Sequence, residues 1–294
     1  MNQPNFPHRA PEPLAFGLIV IGDEILSGKR ADKHLSKVTE LLAARGAGLA
    51  WAEYVGDEPR RITRVLQRAF DSGDIVFSTG GIGATPDDHT RQCAAAALGV
   101  ELQLHPQAKA LIEERMRTLA REQGKVYDPE RPGHIHRLNM GVFPLGAQII
   151  PNPYNQIPGF SCYLPSSDGS DQAAGAPACP GIHFVPGFPV MAWPMIEWVL
   201  DQLPPRWFSP LNRQERSIIL FDAMEATLTP LMLQIERDHP GVKVFSLPSV
   251  DHPEWGRHVE LGVKGQVEAV EAAYRDLKAG LAPFTTRTGP ELVR

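Results

Sequence analysis

Apolar residues in this chain come in short runs separated by charged stretches of helical period. LAFGLIVIG (14–22) is apolar almost without a break, as a strand buried on both faces should be. Beyond it, Leu35, Val38 and Leu42 recur at helical spacing, and Gly46 stands where a left-handed residue would close that helix. LAWAEYV (49–55) reads as a second strand. In DEPRRITRVLQRAF (57–70), Pro59 falls in the first turn, and Ile62, Val65, Leu66, Ala69 and Phe70 share one helical face. DIVFSTGG (74–81) is a third strand, and TPDDHTRQCAAAALG (85–99) is a third helix closed by Gly99. Strand and helix thus alternate three times. The pattern predicts an α/β fold: a doubly wound, mostly parallel sheet with helices on both faces.

The second half is less regular. Leu111, Ile112, Met116 and Leu119 predict a helix within 106–122. From 123 to 160, Gly and Pro punctuate short apolar runs such as AQIIPN (147–152). PSSDGSDQAAGAPACPG (165–181) reads as a mobile surface loop. IHFVPGFPVMAWPMIEWVLDQL (182–203) repeats the strand, glycine turn and helix. Pro189 suits its first turn, Pro194 is expected to kink or interrupt it, and Trp193 and Trp198 read as packing residues. PPRWFSPLNRQ (204–214) marks a boundary. It separates a domain at 14–205 from a small α+β unit at 214–285 of order β-α-β-β-α, whose last helix carries Val267, Val270, Ala273 and Leu277 on one side.

Composition narrows the class. The 294 residues are 43% hydrophobic and 21% charged, with a net charge of −5. A weakly acidic chain is a poor general binder of nucleic-acid backbone, so no such partner is expected. No apolar run reaches the roughly 18–20 residues a membrane helix needs. Residues 1–13 are proline-rich and lack an apolar signal core, so they read as a disordered leader. Cys93, Cys162 and Cys179 fit neither a zinc motif nor a disulfide framework, and a reducing cytoplasm is the expected compartment. Cys93, among alanines, reads as a small buried residue.

The candidate chemistry lies in the turns after the strands. Gly80, Gly81 and Gly83 permit positive φ and a close approach of ligand to backbone. Backbone N–H groups leading into a helix bind anions, and an open α/β sheet places its ligands at the carboxyl ends of its strands. Asp87 and Asp88 would repel a bare phosphate, and a divalent cation held by hard oxygens removes the conflict. A purely structural reading stays open: Thr85 as N-cap, Pro86 at the first helical position and Asp88 closing a capping box. Asp23 and Glu24, after Gly22, form a second acidic turn that is either ligand-holding or capping. Gly187 marks a third turn, and NPYNQIPGF (152–160) offers Asn152, Asn155 and Gly159 to a ring or ribose, or is a plain turn cluster. His89 is a solvated helix-start residue or a proton carrier. His134 and His136 stand at strand spacing with no acid at ligand spacing, and GVKG (262–265) has the form of a nucleic-acid GxxG loop in acidic surroundings.

Together these stretches resemble a known family. GDEILSG, VGDEPRRI, TGGIGATPDDHT and FVPGFPVM are similar to the molybdopterin-binding (MoaB/MogA-like) domain, in its CinA-type branch. TGGIGATPDDHT resembles that branch's TGGLGPTxDDxT signature, and NQIPGF its GTAPGF segment. EATLTPLM (225–232) is similar to the ESxLxxxL pattern of the small KH-like domain of CinA proteins, and no deamidase domain is seen after it. Ile82, the Gln156–Ile157 pair and the 165–181 loop depart from the pattern. The resemblance implies a phosphate or ligand site made by Gly22, Thr79, Gly80, Gly81, Gly83, Thr90, Gly159 and Gly187. It implies Asp87 and Asp88 as catalytic residues, holding Mg, Mn or Co together with Asp23 and Glu24. The implied activity is metal-dependent hydrolysis of a nucleotide diphosphate such as ADP-ribose or FAD. The alternatives are a non-catalytic binder of molybdopterin or nucleotide, and a molybdopterin adenylyltransferase-like enzyme. Either way the partner is a small nucleotide or pterin, in a cytoplasmic homo-oligomer.

Overall fold

The structure is a computed structural model that describes residues 15–163, 180–208, 213–284 and 287–294. The expected leader at 1–13, nearly all of the 165–181 loop, and Cys179 lie outside those residues. The chain divides into two compact units near residue 208.

The first unit is built on β1 (Phe16–Ile21), buried along its whole length. It pairs in parallel with β2 (Leu49–Val55) on one side and β3 (Ile75–Thr79) on the other. A separate two-stranded ribbon joins β4 (Leu102–Leu104) to β5 (Val142–Pro144). The main sheet is completed by β6 (Gln148–Ile150), β7 (Gly159–Tyr163) and β8 (Gly181–Val185), in the order β2-β1-β3-β8-β7-β6. Because β7 is antiparallel to both its neighbours, it alone opposes the common strand direction.

The chain leaves β1 for one edge through α1 (Asp23–Leu26) and α2 (His34–Ala43), then crosses back through α3 (Pro59–Ser72) to β3. The gap between β1 and β3 is therefore a topological switch point, where such sheets open a crevice. α4 (Thr90–Leu98), α5 (Pro106–Glu122), α6 (Pro132–Leu138) and α7 (Pro189–Gln202) complete the unit. The twofold alternation of β1 explains why helices cover both faces. Ile19 and Ile21 pack with Ile62, Leu66 and Phe70 of α3 and Ala94 of α4. Phe16, Leu18 and Val20 pack with Val38 and Leu42 of α2 and Ile196 and Leu200 of α7.

Local chemistry sets both ends of α3. Glu58 caps α3 by accepting from the N–H groups of Arg60 and Arg61, both at 3.0 Å, and Gly73 closes it at φ 71°. Several expectations need correction. The helix expected from residue 85 starts at Thr90, because residues 85–88 close a turn of their own: Asp88 N–H donates to Thr85 O at 3.1 Å, and the Asp88 carboxylate accepts the Thr85 N–H at 2.8 Å. Asp87 and Asp88 thus precede the helix instead of lying in its first turn. His134 and His136 lie on α6, where a spacing of two points them in different directions. α7 runs through Pro194 without interruption. Trp198 is 39% exposed and packs less than expected, whereas Trp193 sits against the core.

The second unit has β9 (Arg213–Phe221), α8 (Glu225–Asp238), β10 (Lys243–His252), β11 (Gly256–Gln266) and α9 (Val267–Gly280), in the expected order. It adds β12 (Arg287–Val293), which lies beyond the expected limit at 285 and gives an antiparallel sheet ordered β10-β11-β9-β12. GVKG lies inside β11 and forms no loop. Leu220, Leu228, Leu261, Val263 and Leu277 make this unit's own core. Among the described residues, no helix of the chain is long and apolar enough to cross a membrane.

Candidate functional site

Strand register brings the three glycine turns together. Val20 of β1 lies beside Thr79 of β3, and Thr79 beside Val185 of β8, so all three strands end level. Gly80 N–H then donates to Val185 O at 3.1 Å, and Gly22 N–H to Val55 O at 2.9 Å. A cavity of about 540 Å³ opens at these ends. Its walls include Gly22, Gly80, Gly81, Gly83, Gly187, Glu24, Asp87 and Asp88, eight residues singled out from the sequence.

The loop from Gly80 to Thr90 is held from behind. Gly80 has φ 100°, and a Cβ there would lie 2.2 Å from Ile21 O. Gly81 has φ 66°, and its Cβ would meet Thr90 Oγ1 at 2.1 Å. The protein's own packing therefore demands these two glycines, whatever the ligand. Thr90 Oγ1 donates to Gly80 O at 3.1 Å, and Thr79 is buried. Neither threonine reaches the cavity wall. Gly159 does not line it either: a Cβ there would strike Phe184 O at 2.3 Å, so this glycine serves strand packing. Arg91, only 5% exposed, donates to Ile82 O and, at 2.7 Å, to Gly83 O. Burial pulls its guanidinium below the ordinary value, and the Asp88 carboxylate opposes that shift. Among the described residues, the N–H groups of Gly81, Ile82, Gly83 and Ala84 have no protein acceptor. Four consecutive amides without a protein acceptor thus belong to residues that line the cavity.

Acids gather opposite. Asp23 N–H donates to Asp57 Oδ2 at 2.9 Å, and Asp57 N–H to Asp23 Oδ1 at 3.2 Å, which clasps the turns after β1 and β2. Asp57 lines the cavity beside Glu24 and Asp87, while Asp23 stands behind it. Burial pushes the Asp57 carboxyl up, and repulsion from Asp23, Asp87 and Glu24 adds to the shift against the Asp23 N–H bond. Asp88 is different, since its Oδ2 is spent on Thr85. Among the described residues, no three His, Cys, Asp or Glu stand close enough to form a ready metal site.

The remaining wall is apolar and soft. Phe188 is 55% exposed, and the Arg30 guanidinium lies 5.8 Å from its ring centre. Met140 and Met191 face the same space. Asn152 and Asn155 line it too, but their amides hold their own loop: Asn152 Nδ2 donates to Asn155 Oδ1 at 2.8 Å and Ile157 O at 2.9 Å, and Asn155 Nδ2 donates to Met191 Sδ at 3.2 Å. His34, buried in α2, bonds through Nε2 to Gly187 O at 3.1 Å and fixes the third turn. His89 stands at the N-cap of α4 without a capping bond.

Sequence reasoning missed Asp57, Arg30, Arg91 and Phe188. Asp57 had a signal: VGD after β2 repeats the IGD after β1. Arg91 had none, because only the fold turns its side chain back under the loop.

Residues 17–205, well over half of the chain, match the family described as "Probable molybdopterin binding domain". The chain is 29% identical over 277 residues to a CinA-like protein of Geobacter metallireducens, covering 94% of this chain and 60% of that one. A protein of Caldivirga maquilingensis is 28% identical over 257 residues, covering 85% of this chain and 88% of its own. Among solved structures, the CinA protein of Thermoplasma acidophilum, described as of unknown function, aligns with a TM-score of 0.50 at 23% identity, over 65% of this chain and 99% of that one. That likeness bears on the fold.

Proposed function

Because the chain belongs to the molybdopterin-binding domain family, we propose that its strand-end cavity binds the phosphate of a nucleotide or pterin and hydrolyses a nucleotide diphosphate with a divalent cation. The observation that carries this reading is the presence of four free loop amides and an acidic cluster around one cavity. The amides suit a phosphate oxygen. The exposed face of Phe188 and the Arg30 guanidinium suit a flat heteroaromatic ring.

Carboxylates offer the hard oxygens that Mg²⁺ or Mn²⁺ prefers, and such an ion needs only one or two of them because waters fill the rest of its shell. Asp23 and Asp57 each use one oxygen on the other's N–H, and Asp57 is pushed up partly by unbalanced negative charge. We assign the cation to Asp57 and Asp87, with Glu24 and Asp23 beside them, and give Asp88 the task of shaping the loop. Such a cation supplies a Lewis acid and an activated water. The loop amides hold one phosphate in place. Arg91 keeps those amides pointed by gripping the carbonyls behind them.

The first test is a hydrolysis screen of ADP-ribose, FAD, NADH and dinucleoside polyphosphates with Mg²⁺, Mn²⁺ or Co²⁺. Metal-dependent release of AMP is expected, and Asp57→Asn should abolish it. Asp57→Asn should also stabilise the metal-free protein by roughly 0.5 kcal/mol, a value discounted for solvent screening. The sign follows from the raised carboxyl: the folded state holds that proton more tightly, so ionised Asp57 opposes folding above its ordinary range. The cation should raise the wild-type melting temperature and leave the variant's nearly unchanged. No turnover of any compound, with tight binding of molybdopterin, would favour a binder or an adenylyl transferase.

A further inference from the structure

Two smaller cavities adjoin the strand-end site beside α5 and α6. The first, of about 270 Å³, shares Asn155 and Ile157 with the strand-end cavity and adds Arg115 and Arg137. The second, of about 230 Å³, shares Arg137 with the first and adds Lys125, Arg131 and His134. Shared walls thus lead from an acidic mouth to a basic end.

The charge balance of this groove is unusual for the chain. Its net charge is −5, yet no carboxylate lines either small cavity. Of the nearby acids, Glu113 is paired with Arg117 at 3.1 Å, Glu114 with Arg121 at 2.8 Å, and Glu122 lies 3.8 Å from Arg115, while Asp128 and Glu130 precede Arg131 without lining either cavity. Among the described residues, Arg131 and Arg137 have no carboxylate within 4.0 Å, and Lys125 meets only Gln123, at 3.1 Å. A single unpaired surface arginine is ordinary. Here four cations and a histidine line two adjoining cavities, the first of which shares Asn155 and Ile157 with the strand-end cavity. His134 is itself positioned, by a bond from Nδ1 to Asp128 O and by stacking on Tyr127 at 5.3 Å.

We propose that this groove binds a second phosphate, carried at the far end of the ligand held at the strand ends, and so selects ligands that bear one. The inference rests on the reading of the strand-end cavity as a nucleotide or pterin site. Arg131 and Arg137 grip the phosphate oxygens, and His134 adds a third donor. Charge-assisted contacts from exposed arginines give a preference of roughly tenfold, eroded by salt.

Two measurements on the full chain test this. First, the His134 ring proton signals are followed by NMR during titration with inorganic phosphate. A saturable shift is expected, and it should vanish in the Arg131→Gln/Arg137→Gln protein, whose replaced side chains are exposed. An unsaturable shift, or one unchanged in the variant, overturns the proposal. Second, binding of ADP-ribose is compared with that of ADP-ribose 1″-phosphate, which carries its extra phosphate on the terminal ribose, by calorimetry. The phosphorylated compound should bind roughly tenfold tighter to the wild type and equally to the variant. Equal binding to the wild type, or a preference kept by the variant, overturns it. If neither compound binds, the reading of the strand-end site fails, and the His134 titration decides the groove by itself.

Discussion

Arg91 spends its guanidinium on two carbonyls of the glycine loop, Ile82 O and Gly83 O, from a buried position on α4. A buried charge is tolerated only where its hydrogen bonds are made, and here it makes them to the loop that forms the cavity wall. Arg91→Met keeps the bulk and removes the donors. It should cost about 2–4 kcal/mol, by leaving two carbonyls unsatisfied and Asp88 without its neighbouring cation. Urea unfolding reads that loss, and any change under about 0.5 kcal/mol would show that water replaces the guanidinium freely. Arg91→Lys should recover little, since one ammonium cannot match a fork aimed at two acceptors. This residue was not legible as functional, because TRQ at a helix start says nothing about where the arginine will turn. Asp87 and Asp88 were legible as a pair, but their difference was not. Both bond to Thr85: the Thr85 side chain holds the Asp87 carboxyl below its ordinary value, whereas Asp88 Oδ2 accepts from both the N–H and the hydroxyl of Thr85.

At the scale of elements, the middle of the sheet holds a histidine that has no room to be charged. His183 of β8 is buried, shares a hydrogen bond at Nδ1 with the Ser161 hydroxyl at 2.8 Å, and has no partner at Nε2 among the described residues. Burial pulls its pKa down to about 3 from an ordinary 6.5. The unfolded chain therefore binds a proton below the ordinary value that the folded chain refuses. Stability is complete above that value and falls as the pH drops toward 3, by about 1.4 kcal/mol per pH unit for this one proton. His34 of α2, also lowered by burial against the Gly187 bond and Asp32, acts with the same sign. Urea midpoints at pH 7.5, 6 and 5 should show the decline, and His183→Gln should make it shallower by about one proton. An equal slope in the variant would show that His183 is charged in both states. The apolar face of α3 and its first-turn proline were readable because both are local signals, while its Glu58 cap and closing Gly73 went unread. The start of α4 was not, because Thr85 and Asp88 satisfy each other in a turn and leave the helix to begin at Thr90.

For the whole molecule, separate cores in the two units predict separable damage. Leu261→Ala removes a fully buried side chain from the core of the second unit and should cost about 2–5 kcal/mol there. Hydrogen exchange should quicken in β9, β11 and α9, and amides of β1 and β3 should keep their protection. β12 shows why the extent of that unit escaped the sequence. RTGPELV carries a glycine and a proline and little alternation, so nothing local marks it as a strand. It is held by its place beside β9, with Arg294 paired to Glu260 at 2.6 Å. By itself, the sequence determined the alternation of strands and helices, the two-unit division of apolar patterning, and the acidic glycine turns that mark the family. Those features are written in periodicity and in residues whose conformational needs are local. Only the tertiary structure decided that Asp57 joins the acids, that Arg91 braces the loop, that Gly159 and Thr79 serve packing, and that a basic groove adjoins the site. Each depends on strand register and on side chains crossing between elements, and apart from the repeated VGD at Asp57 none leaves a trace in residue spacing.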